Sequence, residues 1–198
     1  MYIIKLIIIL FCIFLLADTN AVACTDNDNR HAIELEVMSK NDEAFEFISA
    51  KLKECPDYIE FRIARSMIFN AKKMYREELE EVEHILRIGP LNDFFLLERC
   101  ILSESLDAGK NKDSHLLCFK NVSEIMKSKN DGEPLIETKN YLYVLAVSMA
   151  ELPEAEEIRR QHIQFLDTLD KKEPLFMVGQ RDIFLHFDRK KFIYRLQQ

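Results

Sequence analysis

Apolar and polar positions along the chain fall into three regimes. Lys5 is followed by an unbroken apolar run from Leu6 to Ala17, LIIILFCIFLLA. From about residue 29 onward apolar residues recur at helical spacing, punctuated by Pro56, Pro90, Pro134, Pro153 and Pro174. This periodicity predicts helices over 29–39, 42–54, 58–73, 75–88, 92–107, 114–128, 135–150 and 154–169. Within 135–150, Leu142, Leu145, Ala146 and Met149 stand at i, i+3, i+4 and i+7, which predicts one apolar stripe. Asn41-Asp42, Asn92-Asp93 and Asp113-Ser114 supply polar helix starts, and Pro153 a first-turn proline. Gly89, Gly109 and Gly132 stand where helices should stop. The extension 175–198 changes character: two runs, Asp182 to Phe187 and Phe192 to Leu196, flank the polar Asp188-Arg189-Lys190-Lys191. Alternation within them predicts a C-terminal β-hairpin, with a final helix as the alternative.

The N-terminal run is too short for a bilayer, which needs roughly 20 apolar residues in a helix. A charged start, a short apolar stretch and the small-x-small ending Ala21-Val22-Ala23 describe a cleavable secretory signal over 1–23. Cys24 follows directly, so the expectation is either simple cleavage or lipid attachment at Cys24 with membrane anchorage. Both place residues 24–198 outside the cytoplasm, in a periplasm. Export leaves Cys24, Cys55, Cys100 and Cys118, and four cysteines in an oxidising compartment allow three pairings. A Cys24–Cys55 bridge would staple the start of the mature chain to the end of an early helix. Cys100 and Cys118 lie on neighbouring predicted helices, offset by about 7 Å along the axes, which makes their pairing awkward. Buried free thiols are the alternative.

Pro56 and Pro90 are 34 residues apart, and at that offset Phe61 matches Phe95, Ile63 Leu97, Arg65 Arg99 and Ile68 Leu102. Ile48 likewise pairs with Val82, Leu52 with Leu86, and Ser66 with Cys100. A helix-turn-helix unit of this length ending in proline resembles the tetratricopeptide repeat (TPR), most evidently over 41–107. Asn41-Asp42-Glu43-Ala44 looks like the turn and small residue that open a repeat's second helix, whereas Glu78 stands where the family has Ala. The resemblance implies an all-α fold of stacked helical hairpins, an α-solenoid over 24–198.

A net charge of −7 argues against nucleic acid as a partner. The four glycines are dispersed, so no phosphate-cradling loop is present. Glu81 and His84 have the i, i+3 spacing of carboxylate-bridged metal bundles but lack the second Glu-x-x-His such sites need. His115, Cys118 and Cys100 form only a loose trio for zinc. No metal, cofactor or catalytic residue is therefore expected, and the protein is expected not to be an enzyme. Asn121-Val122-Ser123 is an acceptor pattern for glycosylation, meaningful only in a source with an endoplasmic reticulum. Glu77, Glu78, Glu80, Glu81 and Glu83 crowd one helix, either as a solvated face or as a docking surface that steers a basic partner.

A small, exported, acidic, helical chain without catalytic apparatus is expected to act by binding another protein. By the TPR resemblance, first helices line a groove, which implies that Met67, Asn70 and Ala71 face in from one unit. Leu97, Ile101, Glu104 and Ser105 would face in from the next, with Glu77, Glu80 and Glu81 adding negative charge. The specific expectation is an immunity protein that neutralises a toxin or effector delivered to the periplasm. The alternative is an adaptor or assembly factor of the bacterial cell envelope.

Overall fold

The computed structural model describes residues 24–108, 110–129, 140–168 and 175–195, and these contain ten helices. They are α1 (Asp26–Val37), α2 (Asn41–Glu54), α3 (Ile59–Ala71), α4 (Tyr75–Ile88) and α5 (Asp93–Asp107), then α6 (Lys112–Ser128), α7 (Tyr141–Met149), α8 (Ala155–Thr168), α9 (Leu175–Leu185) and α10 (Arg189–Arg195). The signal expected over 1–23, the stops at Gly109 and Gly132, Pro134 and Pro174, and the first residues of the helix expected from 135 lie outside the described residues. Contacts divide the chain into two units, Met1–Arg65 and Ser66–Gln198, with the boundary inside α3.

The repeat is written in the backbone. Among the described residues, four that are not glycine adopt positive φ: Ser39 (57°), Lys73 (57°), Ala108 (51°) and Glu151 (53°). Each stands in the turn between an odd-numbered helix and the next, and the first three recur at intervals of 34 and 35 residues. At three of them the following N–H reaches back five residues, Lys40 to Leu35, Met74 to Phe69 and Leu152 to Val147, the closing bond of a Schellman turn. The fourth residue of each partner helix is buried in turn: Ala44, Glu78, His115 and Ile158.

In the first unit, α1 packs on α2, which presents Ala44, Ile48 and Leu52 inward at i, i+4 and i+8. The ring of Phe47 meets His31 edge-on at 4.9 Å and Phe61 at 6.2 Å. Cys24 is bonded to Cys55 with Cα atoms 6.2 Å apart. Beside that bridge the Asp28 carboxylate caps the start of α1, accepting from the Thr25 hydroxyl at 2.8 Å, from the Thr25 amide at 2.9 Å and from Lys51 Nζ at 3.0 Å. Those bonds hold its pKa below the ordinary carboxylate value. The expected cap at Asn41-Asp42 is corrected: Lys40 takes the cap position of α2 without a side-chain bond.

In the second unit each helix from α4 to α8 packs on its successor, and α5 also meets α7 and α10. The core joins Leu96, Leu97, Cys100 and Ile101 of α5 to Phe119, Val122 and Met126 of α6 and to nearly all of α7. The single stripe expected on 135–150 is thereby corrected. Tyr143 to Ala150 are all buried, because α7 is enclosed on every side and carries no charged residue. Cys100 and Cys118 are bonded, Cα to Cα 5.8 Å. The offset expected between them vanishes because α6 starts at Lys112 with Asn111 before it, two residues earlier than the Asp113-Ser114 signal implied. The two cysteines then lie about equally far from the turn.

The expected C-terminal hairpin is corrected to α9 and α10. Asp188 caps α10, its carboxylate accepting from the Lys191 amide at 3.0 Å, and no Gly or Asn is present to form a tight strand turn. Phe184 and Ile193 enter the core, with Ile183, Phe187 and Phe192 packed against it, an arrangement of period 3.6. Among the described residues there is no strand.

Candidate partner-binding surface

The groove residues inferred from the TPR resemblance separate into two groups. Met67, Asn70 and Ala71 stand at i, i+3 and i+4 on α3 and are all exposed, Met67 at 59%. Glu77 and Glu80 are exposed on α4, with Glu83 one further turn along. By contrast Leu97, Ile101, Glu104 and Ser105 are corrected to interior positions, each no more than 5% exposed. Leu97 and Ile101 belong to the core, because α5 is hemmed in by α4, α6, α7 and α10 at once. What α5 offers to a partner is its first turn: Phe94 is 49% exposed and lies close in sequence to exposed Ile88 and Leu91.

Glu104 is claimed from within. Arg189 at the start of α10 reaches back, its guanidinium 2.6 Å from Glu104 Oε2, donating also to the Met149 carbonyl at 2.7 Å. The same guanidinium carbon lies 5.7 Å from the centre of the Phe119 ring. Both side chains are nearly enclosed, at 10% and 6% exposure. Nothing local in sequence sets Arg189 apart from the polar stretch Asp188-Arg189-Lys190-Lys191; its role depends on the fold of α10.

The acidic helix is likewise not uniformly solvated. Glu81, expected on the partner surface, is corrected to the interior: it forms the buried stripe of α4 with Glu78, Val82 and Ile85, while Glu77, Glu80 and Glu83 face water. The Asn70 carboxamide donates to both oxygens of Glu78, at 3.0 and 3.2 Å. Glu98 of α5 shares a further hydrogen bond with Glu78, so two carboxyls meet in one place. Burial, opposed by the Asn70 bond and reinforced by the Glu98 charge, pushes Glu78 up to about 7. Burial raises Glu98 as well. The departure from the TPR pattern at Glu78 is therefore an acid set into a position that a small residue fills elsewhere.

The next repeat solves the same position differently. His115 Nε2 is 3.1 Å from Asp107 Oδ2, again a side chain eight residues earlier across the turn. That bond, with two from Asn111, holds Asp107 below the ordinary carboxylate value. His115 is thus engaged by Asp107 and the Cys118 sulfur by Cys100, which removes the loose zinc trio. Among the described residues no group of three His, Cys, Asp or Glu is placed to hold a metal.

No family model matches the chain. No curated protein matches it either. Among solved structures it is similar to YrrB, described as a TPR protein with an unusual peptide-binding site, at a TM-score of 0.51 and 14% identity. The match covers 93% of this chain and 98% of that one. The likeness is one of fold: the protein is an all-α, TPR-like arrangement of helical hairpins.

Proposed function

We propose that this chain is an exported protein-binding module, most specifically an immunity protein that neutralises a toxin or effector acting in the periplasm. The observation that carries the reading is the surface of α3 and α4. Met67, Asn70 and Ala71 offer an accessible patch on one helix, and Glu77, Glu80 and Glu83 a row of carboxylates on the next. Such a row raises the encounter rate of a basic partner. YrrB, with its peptide-binding site, supports a protein or peptide as the class of ligand. The Cys24–Cys55 and Cys100–Cys118 bonds support an oxidising compartment and hence an operating signal over 1–23. The first bond also favours simple cleavage, because a sulfur joined to Cys55 is not available for a lipid thioether.

The test is co-expression with any toxin-like protein found encoded beside the gene and a pull-down from envelope extracts, followed by recovery of a stoichiometric complex and intact mass spectrometry. A complex that forms with the unmodified chain and weakens at least tenfold in the Glu77→Lys, Glu80→Lys variant supports the reading. Stable association with resident envelope components instead, and loss of an assembled structure on deletion, supports an envelope adaptor. A protein that binds neither overturns both.

A further inference from the structure

Helices α9 and α10 enclose an open cavity of about 580 Å³, a size typical of ligand sites. One wall is Gly179, Asp182, Ile183 and His186, at i, i+3, i+4 and i+7, so it is a single stripe along α9 and just past its end. The other is Asp188, the cap of α10, with Lys191 and Phe192 three and four residues on within that helix, and Phe187 between the helices. Seven helical residues cover about 10 Å, the length of roughly three residues of extended chain.

The groove is apolar below and acidic at the rim. Phe187 and Phe192 lie 6.4 Å apart and, with Ile183, rest against the core, so this wall is fixed before any ligand arrives. Gly179 is exposed, and a Cβ added there would meet nothing within 4 Å, so the floor at this point is open. The rim charges are not balanced. Asp188 is taken up by its bond to the Lys191 amide and by Lys191 Nζ at 3.9 Å. Arg181, beside Asp182 in sequence, is paired to Asp167 at 2.8 Å. Asp182 is exposed and in no ion pair among the described residues, its charge acting on Arg181 only through space. The Arg159 guanidinium stands 5.2 Å from the centre of the Phe187 ring, so this ring already accepts a cation at its face.

We infer that the α9–α10 groove holds a short extended peptide segment carrying a Lys or Arg side chain beside an aromatic or branched aliphatic one. The cation pairs with Asp182, and the apolar side chain lies on Ile183, Phe187 and Phe192. The net charge of −7 favours the same sign of partner. This rests on the protein-binding reading above, but the groove is separate from the α3–α4 surface in its residues.

The experiment titrates the disulfide-bonded protein with two blocked tripeptides, acetyl-Leu-Arg-Phe-amide and acetyl-Leu-Glu-Phe-amide, followed by heteronuclear NMR. The arginine peptide is expected to shift the signals of Gly179, Ile183, Phe187 and Phe192, and the glutamate peptide to bind at least tenfold more weakly. Gly179→Leu fills the groove and is expected to abolish binding. Asp182→Asn is expected to weaken it about fivefold and to flatten its dependence on salt. The fold is checked in both variants by their unchanged core signals, and Gly179→Ala serves as a milder second blocking variant. No groove shifts at millimolar arginine peptide, equal binding of the two peptides, or binding unchanged by both glycine variants would each overturn the inference. Failure of the arginine peptide to bind the unsubstituted protein, with a toxin complex still formed, refutes the groove and spares the immunity reading. Groove shifts in a protein that captures no toxin do the reverse.

Discussion

Replacing Arg189 by Ala tests whether the C-terminal helix is held by its buried ion pair. The guanidinium is 10% exposed and its partner Glu104 6%, so the change leaves a carboxylate enclosed without its cation. It also strips a donor from the Met149 carbonyl at the end of α7. Removing one partner of a buried pair costs about 3–5 kcal/mol, a large share of the 5–15 kcal/mol that typically separates folded from unfolded states. α10 has only seven residues, too few to persist as a helix without tertiary contacts. Its amides should therefore exchange with solvent faster in the variant even where the remainder stays folded. Urea titration followed by circular dichroism gives the global cost, and hydrogen exchange locates it. The control is the exposed Lys112–Glu151 pair, 2.8 Å apart with both side chains about half accessible. Lys112→Ala should cost under about 1 kcal/mol, because water screens that pair. A double replacement, Glu104→Leu with Arg189→Met, should recover most of the loss, since neither charge then remains to be desolvated. A cost below about 1 kcal/mol for Arg189→Ala, or equal costs for the two pairs, would refute the reasoning.

Glu78 provides a pH test. Its carboxyl is pushed up to about 7, so the folded state binds a proton more tightly than the unfolded chain. The associated stability is present below about pH 4.5 and is lost as pH rises through 7. At about 1.4 kcal/mol per unit, Glu78→Gln should relieve a penalty on the order of 3 kcal/mol at pH 8 and much less at pH 5, read as the difference between melts. Replacing Cys100 and Cys118 together by Ala should lower stability by about 3 kcal/mol, from the 18-residue separation that the bond closes; urea unfolding with and without reductant checks it. Lys73 holds φ at 57°, where a side chain is disfavoured by about 1 kcal/mol or more. Lys73→Gly should therefore raise the melting temperature, and a fall would show that its side-chain contacts outweigh the backbone.

The repeat was legible because it is local. The 34-residue offset that aligns Phe61 with Phe95 and Ile68 with Leu102 reappears as the spacing of the left-handed turns at Ser39 and Lys73. The extension after residue 175 admits a hairpin or a helix from sequence, because Phe, Ile and Leu fit a strand or a helix equally well over short runs. Asp188, a side-chain cap visible in the sequence, was the signal that favoured a helix there. Glu98 and Arg189 were missed as interior groups, since nothing local distinguishes them from the many charged residues that face water.

What the chain determined by itself is therefore its helices and their pairing: apolar periodicity, breakers and turn spacing act between residues a few positions apart. The tertiary structure alone decided which polar residues are inside. Glu78 meets Glu98, and Glu104 meets Arg189 from 85 residues away, only when separate helices are packed together. The same packing enclosed Leu97 and Ile101 and left Gly179 and Asp182 open. Burial is a property of what covers a residue, and that cover comes from distant parts of the sequence.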